Sequence, residues 1–593
     1  MLLSLQNLRR QYESGDVRPE DIIRLIYDRI KAAGDDHVWI CLVPEEVALK
    51  RARELAQCSP GRPLFGIPFA VKDSIDVEGL PTTAACPAFS YVPRRTATAV
   101  QKALDAGAIL IGKTNMDQFA TGLVGTRSPY GACSSIYHPD YVSGGSSSGS
   151  ALAVAKGEVC FAFGTDTAGS GRVPAAFNGT VGVKPTRGLV SFAGVLPACR
   201  SLDCMSVFSP DVETGARVLE VLAGADEADP YSRSVQQRCD SFTIPRIGIP
   251  REDQMQFFGD EAAAECWRRA LDRARGRGLS EKGLSENGSV EKPAELIEID
   301  LTPFQKAAEL LYSGPFVAER YAALGSFVAS TPESDLDPTV RGIILGAARY
   351  SAVDAFNAQY QLQALRSKVN RIFENIDALL LPTAPTIYRI EEVRRNPIAL
   401  NSRLGTYTHF ANLLDLCAVA VPAGLRDDGL PFGVMLTAPA FSDAKLLRLA
   451  HWWEGSRSGD YLRPANSVRL AVVGAHLAGQ PLNHQLTSRG ASLLRTTTTA
   501  PKYRLFALAN TTPPKPGLLR VAEPQPNGIE VEVWQLTKEA FGSFVAEVPP
   551  PMGIGNLELA DESTVKGFIC EPYALQGATE ITTLGGWRNY LKN

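Results

Sequence analysis

Histidine is scarce in this sequence: 593 residues carry six, along with six methionines and six tryptophans. Chemistry that needs several imidazoles therefore has few places to arise. The eleven cysteines are scattered, odd in number and without a CxxC pair, which argues against a structural zinc site and for reduced thiols in a cytosol. No metal and no cofactor is expected. Excess charge is also missing, with 60 Lys and Arg against 64 Asp and Glu and a net charge of −4. That gives no footing for nucleic-acid or membrane-surface binding as the main task. No apolar run is long enough to span a bilayer, and the start, MLLSLQNLRRQYESGD, turns charged within nine residues, unlike a secretory leader. A soluble, cytoplasmic chain of at least two domains is the expectation.

What the chain does have is Tyr141–Gly188, with two Gly/Ser turns, Gly144-Gly145-Ser146-Ser147-Ser148-Gly149 and Thr167-Ala168-Gly169-Ser170-Gly171. Between them lie apolar runs, Ala151–Ala155 and Val159–Phe163, which a solvated linker would lack. Glycines let the main chain approach a ligand, and successive N–H groups can hold an oxyanion. Upstream, the apolar run Leu64–Val71 ends in Lys72. A lysine at the end of such a run is open to burial, and burial lowers its pKa towards the range where a neutral amine acts as a base.

In chain order, 3–33 reads as two amphipathic helices forming an N-terminal cap over about 1–35, restarted at Pro19-Glu20-Asp21. A helix over Thr96–Ala106 and a strand over Ala108–Gly112 continue an alternation that predicts an α/β core, a sheet covered by helices. Further helices are predicted at Asp260–Ala274, Pro303–Leu324, Ser351–Phe373 and Leu446–Glu454, with strands at 378–381 and 419–421. The near-repeat at 278–288 reads as an exposed insertion loop. After residue 454 a linker (455–466) leads into short β-like runs such as 469–473 and 529–534. A 1–454 α/β domain followed by a smaller β-rich domain at 467–593 is the expected organisation.

A Ser-His-Asp triad is not excluded by spacing, while the Ser-Lys variant needs only the turn serines and Lys72. These segments resemble the amidase signature family, whose members hydrolyse amides with a Ser–cisSer–Lys triad. The first turn matches that signature, Ser170 follows Ser146 by 24 residues, and Lys72 stands in GIPFAVKD. The resemblance implies Ser170 as nucleophile, Ser146 as bridging serine after a cis bond from Gly145, and Lys72 as base. It places the oxyanion at the backbone N–H groups of Thr167, Ala168, Gly169 and Ser170. One position departs from the family: Gly171 stands where most members carry an aliphatic residue before the arginine, here Arg172.

GTDTAGSGRVPAAFN is most similar to the allophanate hydrolases of that family, and Leu311–Tyr321 is similar to their substrate-binding segment. The match implies that Tyr312 and Arg320 contact the small carboxylate allophanate; eight residues apart on one helix, they would lie within about 80° of each other. In the tail, Val473–Leu486 and Gly567–Tyr573 resemble the C-terminal domain of allophanate hydrolases, itself similar to the γ-glutamyl cyclotransferase fold. The implied division of labour is deamination to N-carboxycarbamate in the first domain and its decarboxylation in the second. Candidates there are His484 first, then His476 and Glu571. The resemblance also implies a homodimer and a link to a urea carboxylase or to cyanuric-acid breakdown. Two rivals stand beside this reading: an amidase for another small amide, and an amidotransferase-like subunit that works only in a complex.

Overall fold

The computed structural model describes residues 3–57, 61–234, 245–276, 293–312, 314–455, 467–509, 511, 513–561 and 563–592. The near-repeat at 278–288, and all of the linker stretch but Gly455, lie outside them. The described residues form two compact units, 3–455 and 467–592. None of their helices is long and apolar enough to cross a membrane.

The first unit opens with helices Leu5–Ser14 and Pro19–Ala33. Pro19 takes the first helical position, where no N–H is needed, and the Asp21 carboxylate accepts from the Arg18 N–H at 2.9 Å. The buried face of the second helix is Ile22, Ile23, Ile26, Tyr27 and Ile30. Burying such side chains contributes roughly 1.5–3 kcal/mol each, which anchors this element against the core.

Eleven strands make one mixed sheet. They are β1 (Trp39–Leu42), β2 (Pro68–Lys72), β3 (Ile109–Thr114), β4 (Phe161–Asp166), β5 (Val181–Lys184), β6 (Cys204–Ser209), β7 (Arg246–Pro250), β8 (Glu295–Ile299), β9 (Ala378–Pro382), β10 (Leu416–Leu425) and β11 (Pro431–Pro439). Their order across the sheet is β1-β3-β2-β4-β6-β5-β10-β11-β9-β7-β8. β2 runs parallel to both β3 and β4, while β4 is antiparallel to β6. Lys72 and Asp166 therefore end neighbouring parallel strands, and both are fully buried. Beneath them Phe69 stacks on Phe161 at 5.2 Å and tilts against Phe163 at 5.5 Å. The helix Ser148–Ala155, built of small residues, reaches this sheet closely because of Gly149. A Cβ there would stand 2.4 Å from the Val38 carbonyl oxygen and 2.6 Å from the Asn115 nitrogen.

Several predicted elements keep their place with shifted ends: the first β/α unit has its helix at Thr98–Asp105 and its strand at Ile109–Thr114. The continuous helix expected over Pro303–Leu324 is corrected. It breaks into Thr302–Tyr312, a short 3-10 turn Pro315–Val317, and Ala318–Ser330. Pro315 cannot donate an N–H, and Gly314 crowds the Leu310 carbonyl so closely that a Cβ would meet its oxygen at 2.4 Å. Tyr312 and Arg320 thus belong to different helices, and the single-face argument for them fails.

In the second unit, strands Ser492–Thr498, Glu530–Thr537, Ser467–Val472, Thr564–Cys570 and Met552–Glu558 lie side by side in that order. A smaller sheet joins Pro516–Arg520, Tyr503–Ala507 and Thr579–Glu580. Its own core includes Leu470, Val472, Leu505, Val531, Val533 and Trp587.

Candidate active site

Lys72 leaves the end of β2 into a fully buried position and donates to two hydroxyls, Ser146 Oγ at 2.7 Å and Thr165 Oγ1 at 2.8 Å. Burial pushes its ammonium down from 10.5 to about 7; Asp117, Asp203 and Asp166 oppose that shift, and Arg320 adds to it. Ser146 is fully buried and follows a cis peptide bond from Gly145. Its carbonyl accepts from the Asp117 N–H at 3.1 Å. The next residue ties the first Gly/Ser turn to the end of β4: Ser147 Oγ donates to the Thr165 carbonyl at 3.2 Å. Ser170, 4% exposed, turns its hydroxyl towards the Gly122 carbonyl at 3.5 Å.

The turn carrying Ser170 is held by a carboxylate that lies outside both Gly/Ser turns. Asp166 Oδ1 accepts from the Gly169 N–H at 2.9 Å and Oδ2 from the Gly171 N–H at 3.0 Å. Arg172 then closes on the same carboxylate with two bonds of 2.9 Å, both side chains being fully buried. Arg172 also reaches the Thr408 carbonyl and Asn412 Oδ1, each at 3.2 Å. Burial would raise the Asp166 pKa, but the Arg172 guanidinium, together with Lys184 and the Gly171 N–H, holds the carboxyl below its usual range. The Gly169 N–H, expected among the oxyanion donors, thus serves Asp166 in this structure, while among the described residues the N–H groups of Thr167, Ala168 and Ser170 make no such bond. The Thr167 hydroxyl donates to Asp203 at 2.5 Å, and burial raises Asp203 to about 6 against that bond.

Gly171 has a steric reason. A Cβ at this position would lie 2.5 Å from Ser206 Cβ and 2.7 Å from its Oγ on β6. Gly171→Val is therefore expected to cost about 1–3 kcal/mol by overpacking. Ser206→Gly in the same chain should return part of that loss, and urea unfolding of the four forms of the double-mutant cycle checks it.

Arg320 is buried, and its Nη1 donates to Thr121 Oγ1 at 2.7 Å and to the carbonyls of Phe119 and Ala120 at 3.3 and 3.4 Å. Phe119 and Ala120 both sit in the left-handed backbone region, at φ 51 and 52, which non-glycine residues rarely enter. The guanidinium thus braces the loop that ends at Gly122, facing Ser170, and its charge is felt by Lys72. Tyr312 closes its helix, and its side chain lies outside the described residues.

In the second unit the three candidates separate. His476 Nε2 bonds Gln485 Oε1 at 2.9 Å, and the ring stacks on Phe568 at 5.1 Å while lining a cavity of about 250 Å³. His484 is exposed, with Nδ1 engaged by the Pro481 carbonyl at 2.9 Å, and Glu571 is exposed ahead of a 3-10 turn. Neither lines that cavity, whereas His476, expected second to His484, does. Among the described residues no three His, Cys, Asp or Glu side chains converge as a bound metal would need.

Residues 21–447 match the Amidase family model. The chain belongs to the amidase family. Residues 468–592 of this amidase match a second model, the allophanate hydrolase C-terminal domain. It is 44% identical to the urea amidolyase of Saccharomyces cerevisiae over 96% of its own length, but spans only 32% of that relative. The solved Kluyveromyces lactis allophanate hydrolase is similar at 41% identity and a TM-score of 0.76, covering 100% of this amidase and 99% of that chain. A glutamyl-tRNA(Gln) amidotransferase subunit from Exiguobacterium is 32% identical over 75% of this chain and 96% of its own length.

Proposed function

We propose that this amidase hydrolyses allophanate to ammonia and carbon dioxide, with Ser170 as nucleophile, Ser146 as proton bridge and Lys72 as base. The observation that carries the reading is the fully buried Lys72–Ser146 bond at 2.7 Å, set in a chain whose two units together align with the K. lactis enzyme. A solved serine-to-alanine variant of that enzyme, 40% identical to this chain, supports serine chemistry.

In this mechanism Ser170 Oγ adds to the terminal urea carbonyl. Its proton passes through Ser146 to neutral Lys72, available because the lysine pKa is about 7. N–H groups of Thr167, Ala168 and Ser170 stabilise the oxyanion. Lys72 returns the proton to departing ammonia, and water then frees N-carboxycarbamate from the acyl-enzyme. Arg320 supplies positive charge for the substrate carboxylate, with Tyr312 as its companion. The second unit promotes loss of carbon dioxide from the product, with His476 ahead of His484 and Glu571. A homodimer, a cytosolic setting consistent with nine free cysteines among the described residues, and urea carboxylation as the source of substrate belong to the same proposal.

The amidotransferase-like reading finds less support, since that relative leaves a quarter of the chain unmatched. The purified chain, alone, should release two ammonia per allophanate consumed; need of a second protein for turnover would refute the assignment. Arg320→Gln should lower kcat/KM on allophanate about 10- to 100-fold more than on a neutral short amide. Equal losses on both would leave Arg320 as a loop brace alone.

A further inference from the structure

The cavity beside His476 holds one cation that its surroundings do not use. Lys515 lines it, immediately before the strand Pro516–Arg520, with its backbone pinned on both sides. The Lys515 N–H donates to Thr511 Oγ1 at 2.9 Å, and its carbonyl accepts from the Leu508 N–H at 3.0 Å. Among the described residues its ammonium has no ion-pair partner. The one carboxylate that also lines the cavity, Glu547, is satisfied by Arg489 at 2.5 Å. The remaining wall is largely apolar, including Val473, Phe544, Met552 and Phe568. His476 is held between Phe568 and the edge of Phe544, and burial and the Lys515 charge both favour its neutral form.

We infer that this cavity is a binding site for a small dicarboxylate and that Lys515 is the residue that grips one of its two carboxylates. The inference rests on the reading that the second unit acts on N-carboxycarbamate, and it adds the anchor and the orientation. With one carboxylate on the Lys515 ammonium, the other faces the aromatic and aliphatic wall. A carboxylate out of water loses solvation that its charge-dispersed transition state needs less, so the apolar end is the one that breaks. The carbon–nitrogen bond on that side cleaves and carbon dioxide leaves. The bonding pair stays on nitrogen, which takes one proton from water beside His476. The products are carbon dioxide and carbamate, the latter still paired with Lys515. A lysine suits this task because it offers a compact point charge that a small anion can leave.

The test uses the full chain and fresh allophanate, following ammonia and carbon dioxide together in the parent, Lys515→Met, Lys515→Arg and His476→Asn. The first ammonia should appear at the parental rate in Lys515→Met, because it is released in the other unit, while carbon dioxide should lag about 10-fold or more. Lys515→Arg should restore most of the rate. Malonate, which replaces the central NH by a methylene and does not decompose, gives a second readout. It should shift the His476 ring resonances in the parent and bind at least about 10-fold more weakly to Lys515→Met. A lag in His476→Asn with none in Lys515→Met, or an unchanged malonate response in Lys515→Met, overturns the role of Lys515 and leaves the two-unit reading standing. Carbon dioxide keeping pace with ammonia in both variants overturns that reading and the role of Lys515 with it.

Discussion

Ser170→Ala is expected to lower kcat for ammonia release by at least ~10⁴-fold while leaving the fold intact. In the proposed mechanism the hydroxyl supplies the attacking atom, and Ser146 does not stand in for it, being fully buried and already engaged by Lys72. Its structural worth is small by contrast. Ser170 Oγ meets the Gly122 carbonyl at 3.5 Å, the outer limit of a hydrogen bond, and removing it strands no ion. The Asp166–Arg172 clamp that shapes the turn uses the Gly169 and Gly171 N–H groups, which the substitution leaves alone. Unfolding free energies from urea titration within about 1 kcal/mol of the parent, together with lost turnover, would separate chemistry from folding. Retained turnover would remove Ser170 from the mechanism.

Lys72→Met carries the second large effect, and it has two opposite signs. Activity should fall by a factor of at least ~10³, since the proton leaving Ser146 has no acceptor. Stability should rise relative to the parent near neutral pH, by an amount that depends on pH. In the unfolded chain Lys72 holds its proton up to its ordinary 10.5, whereas the folded chain releases it near 7. Below pH 7 the parent therefore bears the whole cost of burying this group. Between 7 and 10.5 the unfolded state binds more protons, so the parent gains stability as pH rises. Methionine does not titrate, and the gap between variant and parent should narrow across that window in urea unfolding at several pH values. With Lys72 as the proposed base, the acid limb of kcat/KM should rise through about pH 7. Asp117 is the foremost of the carboxylates that hold the Lys72 pKa up, ahead of Asp203 and Asp166, while Arg320 pushes it down. Asp117→Asn should then move the limb to lower pH, and a limb that stays put would mean another group titrates there.

The candidate site was legible in the sequence where it depends on local motifs. Two glycine-serine turns 24 residues apart and a lysine ending an apolar strand mark the three candidate side chains, and the resemblance to the amidase family supplies the roles proposed for them. Groups that act across the sheet were not legible. Asp117 and Asp203 reach the site through strand order and loop closure, and nothing near them in the chain marks them; Thr165 lies in the motif GTDTAGSGRVPAAFN, but its bond to Lys72 depends on the pairing of β2 with β4. Asp166 had a readable signal, a carboxylate six residues before an arginine around the glycine turn, though not its bond to the Gly169 N–H. The helix across Gly314-Pro315 failed because apolar periodicity continued through a residue that cannot donate. Residue type cannot separate His476 from His484, and only the folded structure shows that His476 and not His484 lines the cavity.

The most direct measurement is a rapid quench of the full chain with allophanate labelled at the urea carbonyl, followed by peptide mass spectrometry. The account predicts a labelled acyl adduct on the peptide containing Ser170, formed as the first ammonia is released and absent from Ser170→Ala. Ammonia released at the parental rate by Ser170→Ala, or label found on another residue, would contradict it.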